Sequence, residues 1–407
     1  RLVSDWGGWH DAGDVSQFEI CTAEMAHAIL DLAQTVQYKN NTLYTRLMEE
    51  ARWGLNWLLK THFKDGYRAL SIHYSVWRKY ILESYQTLDP LNKDFPKDVA
   101  ENGPFENFLA AAALAAGSRM FQAEDSVFAQ WCMRVAIADF SFGLEGYQKG
   151  IFTKRWGKGP EVQVIGALCL AAGELYQCTK NVSYIETAAQ YAPIISRSQQ
   201  KEMPNWKTPI RGFFYEDPSH KTLFTFEHRG HEQSPITGIA KLLEVAPNHP
   251  QKEEWTQILK LYAEYCINTM QYTYPYNVLP AHIYQYEKLN MDRFTIPGYY
   301  KEKYNVSELL QNQIAQGVPL DKGIHLRIFP IAIQRRGFHA TLLSKAKAVS
   351  TIGRLLKNST CRQIAIDQLE WILGKNPFAS STMYGEGHNY HPLYVAFSQQ
   401  IVGALPV

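Results

Sequence analysis

The stretch Gly-Gly-Trp-His-Asp-Ala-Gly-Asp at residues 7–14 carries the most information in this chain of 407 residues. Its two carboxylates, Asp11 and Asp14, are three residues apart with only alanine and glycine between them. Small residues let the backbone turn tightly and come close to a ligand. Two carboxylates on such a loop can hold and deprotonate one water molecule, which is the base half of inverting sugar hydrolysis. The same residues also fit an Asx-rich turn in which Asp14 caps the following helix.

Three more stretches accompany this octapeptide farther along the chain. They are Leu55–His62, Phe108–Phe121 with its alanine-rich centre, and Ile372–Phe378. Taken in this order, the four stretches resemble the sequence of glycoside hydrolase family 9, the endoglucanase-type hydrolases. The resemblance spans nearly the whole chain, and the octapeptide is its most specific part.

The resemblance implies an all-α fold, an (α/α)6 barrel of twelve helices paired as hairpins, in a single catalytic domain over residues 1–407. It further implies hydrolysis of β-linked glycans with inversion, in which Asp14 is the catalytic base and Asp11 helps to orient the water. Repulsion between two neighbouring carboxylates keeps one of them more basic. Some members of the family bind Ca²⁺, but no loop here is dense enough in acidic residues to name a site. We therefore predict no metal and no cofactor.

The general acid is the missing part of the pattern. The family has a glutamate near its C-terminus, after a Gly-x-Gly loop, and no Asn-Glu-Val or similar sequence precedes Val407. Either the acid lies beyond Val407 in the natural protein, or another carboxylate replaces it. Glu386, between Gly385 and Gly387, is the in-chain candidate by location, although an exposed loop glutamate is the simpler interpretation. Because the chain also begins just before its signature, we expect the natural protein to extend at both ends.

Six side chains are predicted to contact substrate, namely Trp9, His10, Trp156, Arg229, His388 and His391. His388 and His391 resemble the late-loop histidines that contact substrate in the family, but residues 390–393 lack the family's His-Arg pair. Trp156 is a candidate for stacking on a sugar ring, and Arg229 for gripping an acidic or amino sugar. Packing or simple surface exposure is the alternative explanation for each of the six.

The departures from the family pattern leave other functions open. Arg78, Arg155 and Arg229 favour an exo-acting hydrolase on amino or acidic oligosaccharides. The missing acid favours a non-catalytic carbohydrate-binding relative, whereas the intact Asp pair opposes it. An epimerase or lyase on the same barrel would use His or Tyr as its base and would not need the Asp pair. His228 and His231 could bind a metal, but the His-Glu-x-x-His spacing of zinc hydrolases is absent.

Composition narrows the class of partner. The net charge is +2, and no long Lys/Arg cluster occurs, which argues against nucleic-acid binding. Aromatic residues make up 13% of the chain, which suits a polysaccharide or oligosaccharide substrate. The longest wholly apolar run, about Leu109 to Ala116, is far shorter than the roughly 20 residues that span a membrane. We expect a monomer that is secreted or periplasmic, because polysaccharides do not enter cells, and no disulfide framework among its six cysteines.

Apolar residues recur at helical spacing through most of the chain. The predicted helices form five pairs, at 16–37 with 43–63, 105–122 with 125–141, 161–178 with 182–197, 232–245 with 251–271, and 339–357 with 360–373. The predicted buried stripe of the first helix consists of Phe18, Cys21, Met25, Ile29, Leu32 and Val36. Residues 272–336 are interpreted as a long active-site insertion around one short helix near 307–316.

In such a barrel, loops at one face build the substrate groove. The loop with Asp11 and Asp14 precedes the first helix and therefore belongs on that rim. The other predicted rim segments are residues 66–77, 152–159, 224–231, 274–286 and 380–391.

Overall fold

A computed structural model of the chain describes residues 7–10, 17–73, 97–101, 103–151, 159–225, 231–289, 298–331, 338–392 and 402–405. The chain forms two compact units. The first contains Arg1–Gly159, Ala167–Ala188 and Tyr394–Gln399, and the second contains Pro160–Gly166, Ala189–Leu393 and Gln400–Val407. The prediction of a single domain over residues 1–407 stays a prediction.

The first unit is built mainly from helical hairpins. Its elements are β1 (Gln17–Phe18), α1 (Glu19–Val36), α2 (Asn41–Lys60), β2 (Arg68–His73), β3 (Lys97–Glu101), α3 (Pro104–Phe121) and α4 (Ser126–Gln148). The next pair, α5 (Glu161–Thr179) and α6 (Ser183–Ser198), is divided between the two units. These bounds confirm the first six predicted helices, and α1 packs with α2 and α3 with α4 as predicted.

The second unit contains the remaining helices and a small sheet. Its elements are α7 (Ser234–Val245), α8 (Lys252–Met270), β4 (His282–Gln285), α9 (Gly298–Lys303), α10 (Val306–Ala315), β5 (Val318–Asp321), β6 (Ile324–Arg327), α11 (Phe338–Leu355) and α12 (Ser359–Ile372). The last two predicted pairs are confirmed as α7 with α8 and α11 with α12, and α11 also packs against α7 and α8.

Helix α1 buries a different face from the predicted one. Met25 is 49% exposed and Leu32 is 48% exposed, so the predicted stripe is wrong. The buried residues of α1 are mostly small or polar, namely Glu19, Thr22, Ala23, Ala26, His27, Leu30 and Ala33. This helix packs against both α2 and α3. Small side chains allow that close approach, whereas long apolar side chains facing both neighbours would hold the helices apart.

Helix α3 is the most deeply buried helix of the first unit's hairpins. Its run Leu109–Ala116 is buried throughout, and α1, α2 and α4 pack against it. Alanine and glycine keep these neighbours close: a Cβ added at Gly117 would lie 2.6 Å from Cδ1 of Leu55. The apolar run that is too short to span a membrane is therefore the core of a helical unit.

Helix starts account for four Asn-X-Ser/Thr sequences that otherwise resemble glycosylation sites. The side chains of Asn40, Asn305 and Asn358 cap α2, α10 and α12 by accepting a backbone N–H three residues ahead. Asn181 accepts the backbone N–H of Ser183 at 3.1 Å, where α6 begins. An asparagine cap typically stabilises a helix by about 1 kcal/mol relative to alanine.

The insertion at residues 272–336 contains more regular structure than predicted. Helix α10 confirms the short helix expected near 307–316. In addition, β4, β5 and β6 form an antiparallel sheet in the order β4-β6-β5, with Ile283, Leu320 and Leu326 buried. Strands of four residues contain too few alternations to be recognised from apolar spacing. The insertion is thus a folded part of the second unit over its described residues.

None of the helices in the described ranges is both long and apolar enough to cross a membrane. All six cysteines are free thiols, and Cys132, Cys169, Cys266 and Cys361 are buried. Burial raises the pKa of the Cys132 thiol to about 12, so this side chain behaves as a small apolar group.

A buried ion-pair network joins α1, α3 and α5 in the first unit. Glu174 Oε1 lies 3.0 Å from Nε2 of His27, and its Oε2 lies 3.0 Å from Nη2 of Arg119. Arg119 also donates to the side chain of Gln34 on α1 at 2.9 Å. Since the Glu174 side chain is almost wholly buried, its partners provide the interactions that water would provide in the unfolded chain.

We predict that Glu174→Ala lowers the free energy of unfolding by about 3 kcal/mol, because it leaves Arg119 and His27 without their shared partner. Urea denaturation followed by circular dichroism measures the change. The matched control is Glu145→Ala, which breaks the exposed Glu145–Lys149 pair on α4 and should cost no more than about 0.5 kcal/mol. Equal losses in the two variants would contradict the structural role of Glu174.

Candidate active site

The segment that carries the predicted carboxylate pair is described only at its two ends. Asp11 and Asp14 themselves fall in residues 11–16, outside the described residues, so their roles stay predictions. The flanking residues belong to the first unit. His10 and Gln17 form an antiparallel backbone bridge, so the two described ends of this segment lie side by side.

Two glycines at the start of this loop have backbone conformations that favour glycine. The φ angle is +106° at Gly7 and +71° at Gly8, a region that residues with a Cβ disfavour. A Cβ at Gly8 would lie 2.9 Å from Cγ of Trp57. Trp53, on the same helix α2, donates its indole N–H to the Gly8 carbonyl at 2.7 Å. Helix α2 therefore fixes the chain directly before the octapeptide's polar residues.

Gln17 ties both ends of the loop to α2. Its Nε2 donates to the carbonyl of Gly7 at 2.9 Å, and its Oε1 accepts the indole N–H of Trp57 at 3.0 Å. Gln17 and Trp57 are both buried, and exclusion of water strengthens such hydrogen bonds. No sequence pattern singles out Gln17, because an amide has no catalytic signature of its own.

A three-stranded sheet holds the far end of the loop. In the β1–β2 pair, Gln17 is opposite Ile72 and Phe18 is opposite Ser71, and β2 also pairs with β3. The first residue of β2, Arg68, is completely buried. Arg68 forms a bidentate ion pair with Asp139 of α4, with an Nε–Oδ1 distance of 2.7 Å and an Nη2–Oδ2 distance of 2.6 Å. The pair fixes the sheet, and with it Gln17 at the end of the predicted loop, to α4.

Two more side chains surround the Asp139 carboxylate. Asn107 of α3 donates its side-chain N–H to Oδ1 at 2.8 Å, and Nε2 of His62 lies 3.9 Å from the same oxygen. Burial lowers the pKa of His62, and the charge of Asp139 acts in the opposite direction. Arg68 at the start of β2 therefore belongs to a polar cluster inside the first unit, together with Asp139, Asn107 and His62.

Glu19, the first residue of α1, is a buried carboxyl group close in sequence to the loop. It is completely buried, and neither of its oxygens accepts a hydrogen bond. Burial raises its pKa well above the ordinary value; the charge of Arg68 acts in the opposite direction, while Glu106 and Asp139 raise it further. A carboxyl group in such surroundings keeps its proton where an exposed one has lost it.

The structure places the two aromatic residues of the octapeptide differently. Trp9 is partly buried; its indole N–H donates to Glu50 of α2 at 2.8 Å, and its ring lies against Gly54. His10 is exposed beside the bridge to Gln17. Trp9 thus has a packing role on α2, and contact of either residue with substrate stays a prediction.

The late loop belongs to the second unit and carries three predicted site residues. Its backbone is fixed by bonds from Ser381 N–H to the His388 carbonyl at 2.6 Å and from His388 N–H to the Leu373 carbonyl at 3.0 Å. The side chains of Glu386, His388 and His391 are all exposed. The loop therefore presents these groups to solvent. The roles of Glu386 as the acid and of His388 and His391 in substrate contact stay predictions.

The remaining predicted contact residues, Trp156 and Arg229, lie outside the described residues, as do Arg78, Arg155 and His228. His231, the described member of the proposed metal pair, is buried. Within the described ranges, no group of three or more His, Cys, Asp or Glu side chains is arranged to hold a metal ion.

The second unit also contains a buried polar cavity that sequence reasoning missed. Glu232 precedes α7, His282 begins β4 and Lys345 lies on α11, and all three are buried. Nε2 of His282 lies 3.1 Å from Oε1 of Glu232. Together with aromatic side chains they line a cavity of about 30 Å³. The only sequence signal for it is the dipeptide His231-Glu232, whose spacing points to a metal site or a sugar-binding rim segment rather than to a buried cavity.

Lys345 is held at this cavity by backbone carbonyls. Its ammonium group donates to the carbonyl of Pro280 at 2.7 Å and to that of Ala281. Burial lowers the pKa of Lys345, and the negative charge of Glu232 acts in the opposite direction. The cavity wall thus combines one anionic and one basic group.

Comparison with known proteins supports the resemblance seen in the sequence. The sequence model of Glycosyl hydrolase family 9 matches residues 3–395. Among solved structures, the chain resembles the cellulase Cel9M of C. cellulolyticum, with a TM-score of 0.61 and 15% identity, covering 97% of this chain and 74% of that one. It also resembles the family 9 endoglucanase J30, with a TM-score of 0.59 and 16% identity, covering 95% and 60%.

An endoglucanase from the termite Nasutitermes takasagoensis is a third similar structure, with a TM-score of 0.58 and 16% identity, covering 94% of this chain and 70% of that one. The chain spans about 60% of endoglucanase J30. At these identities the likeness shows the fold, and it confirms the predicted all-α (α/α)6 barrel of helical hairpins.

We predict that Glu19→Gln flattens the pH dependence of stability. The unfolded chain loses the Glu19 proton near the ordinary carboxyl pKa, whereas the folded protein keeps it until the raised pKa is reached. The free energy of unfolding therefore falls as pH rises through this window, by up to about 1.4 kcal/mol per pH unit. Glutamine keeps the shape and neutrality, so the variant should be more stable than the parent above the ordinary carboxyl pKa.

Urea unfolding at a series of pH values from acidic to mildly alkaline measures this effect. The control is Glu49→Gln on the exposed face of α2, which should follow the parent curve. A Glu19→Gln curve parallel to the parent curve throughout would show that Glu19 ionises normally in the folded protein.

Proposed function

Because this chain belongs to glycosyl hydrolase family 9, we propose that it hydrolyses β-linked, cellulose-like glycans by an inverting mechanism. The observation that carries the proposal is the family match over residues 3–395, which includes the Asp11/Asp14 octapeptide. Related structures point to the same substrate class: Cel9M was solved with cellobiose, and endoglucanase CelQ from Clostridium thermocellum with cellotetraose.

In the proposed reaction, Asp14 is the general base. A water molecule held between Asp14 and Asp11 attacks the anomeric carbon from the face opposite the leaving group, and its proton passes to the Asp14 carboxylate. The bond to the glycosidic oxygen breaks, and that oxygen takes a proton from a carboxylic acid. Bridging of His10 with Gln17 supports this proposal, because fixed ends limit the positions that the two carboxylates between them can take.

Glu386 is the candidate within this chain for the acid. Its position in the late loop supports the assignment, and its exposed side chain counts against it, because apolar surroundings keep a catalytic carboxylic acid protonated at neutral pH. We also propose that the protein is a monomer and works in the periplasm or outside the cell, where its polysaccharide substrate is found.

The Asp14→Asn variant tests the base directly. Asparagine keeps the side-chain shape and cannot accept the proton, so hydrolysis of a soluble β-glucan by the natural full-length protein should fall on the order of 10²- to 10⁴-fold. Asp11→Asn should lose less, because the base remains. Binding of cello-oligosaccharides, measured by calorimetry, should persist in both variants.

Asp31→Asn, on the exposed face of α1, is the matched control and should keep parental activity. Full activity in the Asp14→Asn protein would remove Asp14 from the mechanism.

A further inference from the structure

The cavity at Glu232 is built from charged and aromatic side chains of the second unit. Glu232, His282 and Lys345 line it together with Phe224, Tyr262 and Tyr265. Every one of these side chains is buried; Phe224, at 9% exposure, is the most accessible. The cavity has a volume of about 30 Å³. This volume gives room for roughly two water-sized groups, since one such group needs about 10–15 Å³.

Glu232 has unused hydrogen-bonding capacity inside this cavity. Nε2 of His282 lies 3.1 Å from Oε1, but neither oxygen of Glu232 accepts a well-oriented hydrogen bond. Leaving a buried carboxylate in that condition is costly. A donor placed in the cavity would complete its hydrogen bonding.

We propose that this cavity is a specificity pocket for the exocyclic hydroxymethyl group of a hexose unit, with the hydroxyl donating to Glu232. The proposal rests on the proposed function, because it assumes a glycan substrate. A –CH2–OH arm has two non-hydrogen atoms, which match the available volume. Its methylene packs against the aromatic walls, and its hydroxyl meets the unsatisfied carboxylate.

The charges of the wall favour a neutral arm over a charged one. Lys345 lines the same cavity, with its ammonium group 5.7 Å from the Tyr265 ring centre, so a protonated amino group would meet a like charge. A sugar carboxylate would be repelled by the carboxylate of Glu232. It also has three non-hydrogen atoms, one more than the arm that matches the volume of the cavity. Because opposite charges already face the cavity, a hydroxyl group is the best electrostatic match.

The cavity also borders two segments that the sequence predicts on the substrate rim. Phe224 begins the segment 224–231, and His282 lies in the segment 274–286. The most accessible wall residue therefore belongs to a predicted rim segment. This placement favours a substrate group over a purely internal water site.

Paired substrates that differ only in the hydroxymethyl group provide the test. The kcat/KM of the natural full-length protein is measured on an aryl β-cellobioside and an aryl β-xylobioside, for the parent, Glu232→Ala and Glu232→Gln. We expect Glu232→Ala to lower kcat/KM on the cellobioside about 10- to 100-fold, the usual effect of losing a hydrogen bond to a charged group. The value on the xylobioside should change less than about twofold.

Glu232→Gln keeps the volume and an acceptor, so it should show the same selectivity change in smaller degree and provides the readout if the alanine variant is unstable. Glu244→Gln, at an exposed pair with Arg354 on the same helix, is the control and should leave both substrates unaffected. Equal losses on both substrates, or no change in their ratio, would overturn the pocket assignment.

Failure of the proposed function would look different. If the parent protein cleaves neither glycoside, the pocket is tested by saturation-transfer NMR with methyl β-glucoside. Transfer to the C6 protons that is weaker in Glu232→Gln than in the parent supports the pocket, and equal or absent C6 transfer in both proteins overturns it.

Discussion

The buried pair between Arg68 and Asp139 is the interaction on which the carboxylate loop depends. Both side chains are completely shielded from water, and the two-pronged geometry satisfies both carboxylate oxygens. Removing one partner of such a pair typically costs about 3–5 kcal/mol, because the other charge stays buried alone. Through this pair, β2 is fixed to α4, and β1 is fixed to β2. Gln17 and Phe18, which form β1 and follow the predicted loop, therefore have a defined position.

The other end of the loop is fixed by a separate set of contacts from α2. Trp53 holds the carbonyl of Gly8, and Trp57 holds Gln17, which in turn holds Gly7. Two independent supports, one from α2 and one from α4 through the sheet, thus meet at the described residues on either side of Asp11 and Asp14. Catalysis by proton transfer requires reacting groups to stay within a few tenths of an ångström of their working positions. Rigid helices on both sides meet that requirement better than a free loop would.

How well the sequence predicts each element of this structure depends on how many residues carry the element's apolar pattern. Helix pairs such as 105–122 with 125–141 are recognised because apolar spacing repeats over many turns, whereas the four-residue strand β4 has no comparable repeat. The buried face of α1 is missed because spacing marks large apolar residues and not the small ones that allow close packing. The octapeptide is recognised by local spacing. Its support by Arg68 and Asp139 is not, because these residues are 71 positions apart, and a buried Glu19 contradicts the expectation that charges lie outside.

We propose that a water activated by Asp11 and Asp14 displaces the leaving group in a single step. The anomeric configuration of the first product formed tests it most directly. Proton NMR of a cello-oligosaccharide digest by the natural full-length protein, recorded before mutarotation, resolves the α and β anomeric protons of the new reducing end. We expect the α anomer to appear first, because a β-linkage is cleaved with inversion. Initial appearance of the β anomer would contradict it, since retention requires a covalent glycosyl-enzyme and a carboxylate acting as nucleophile.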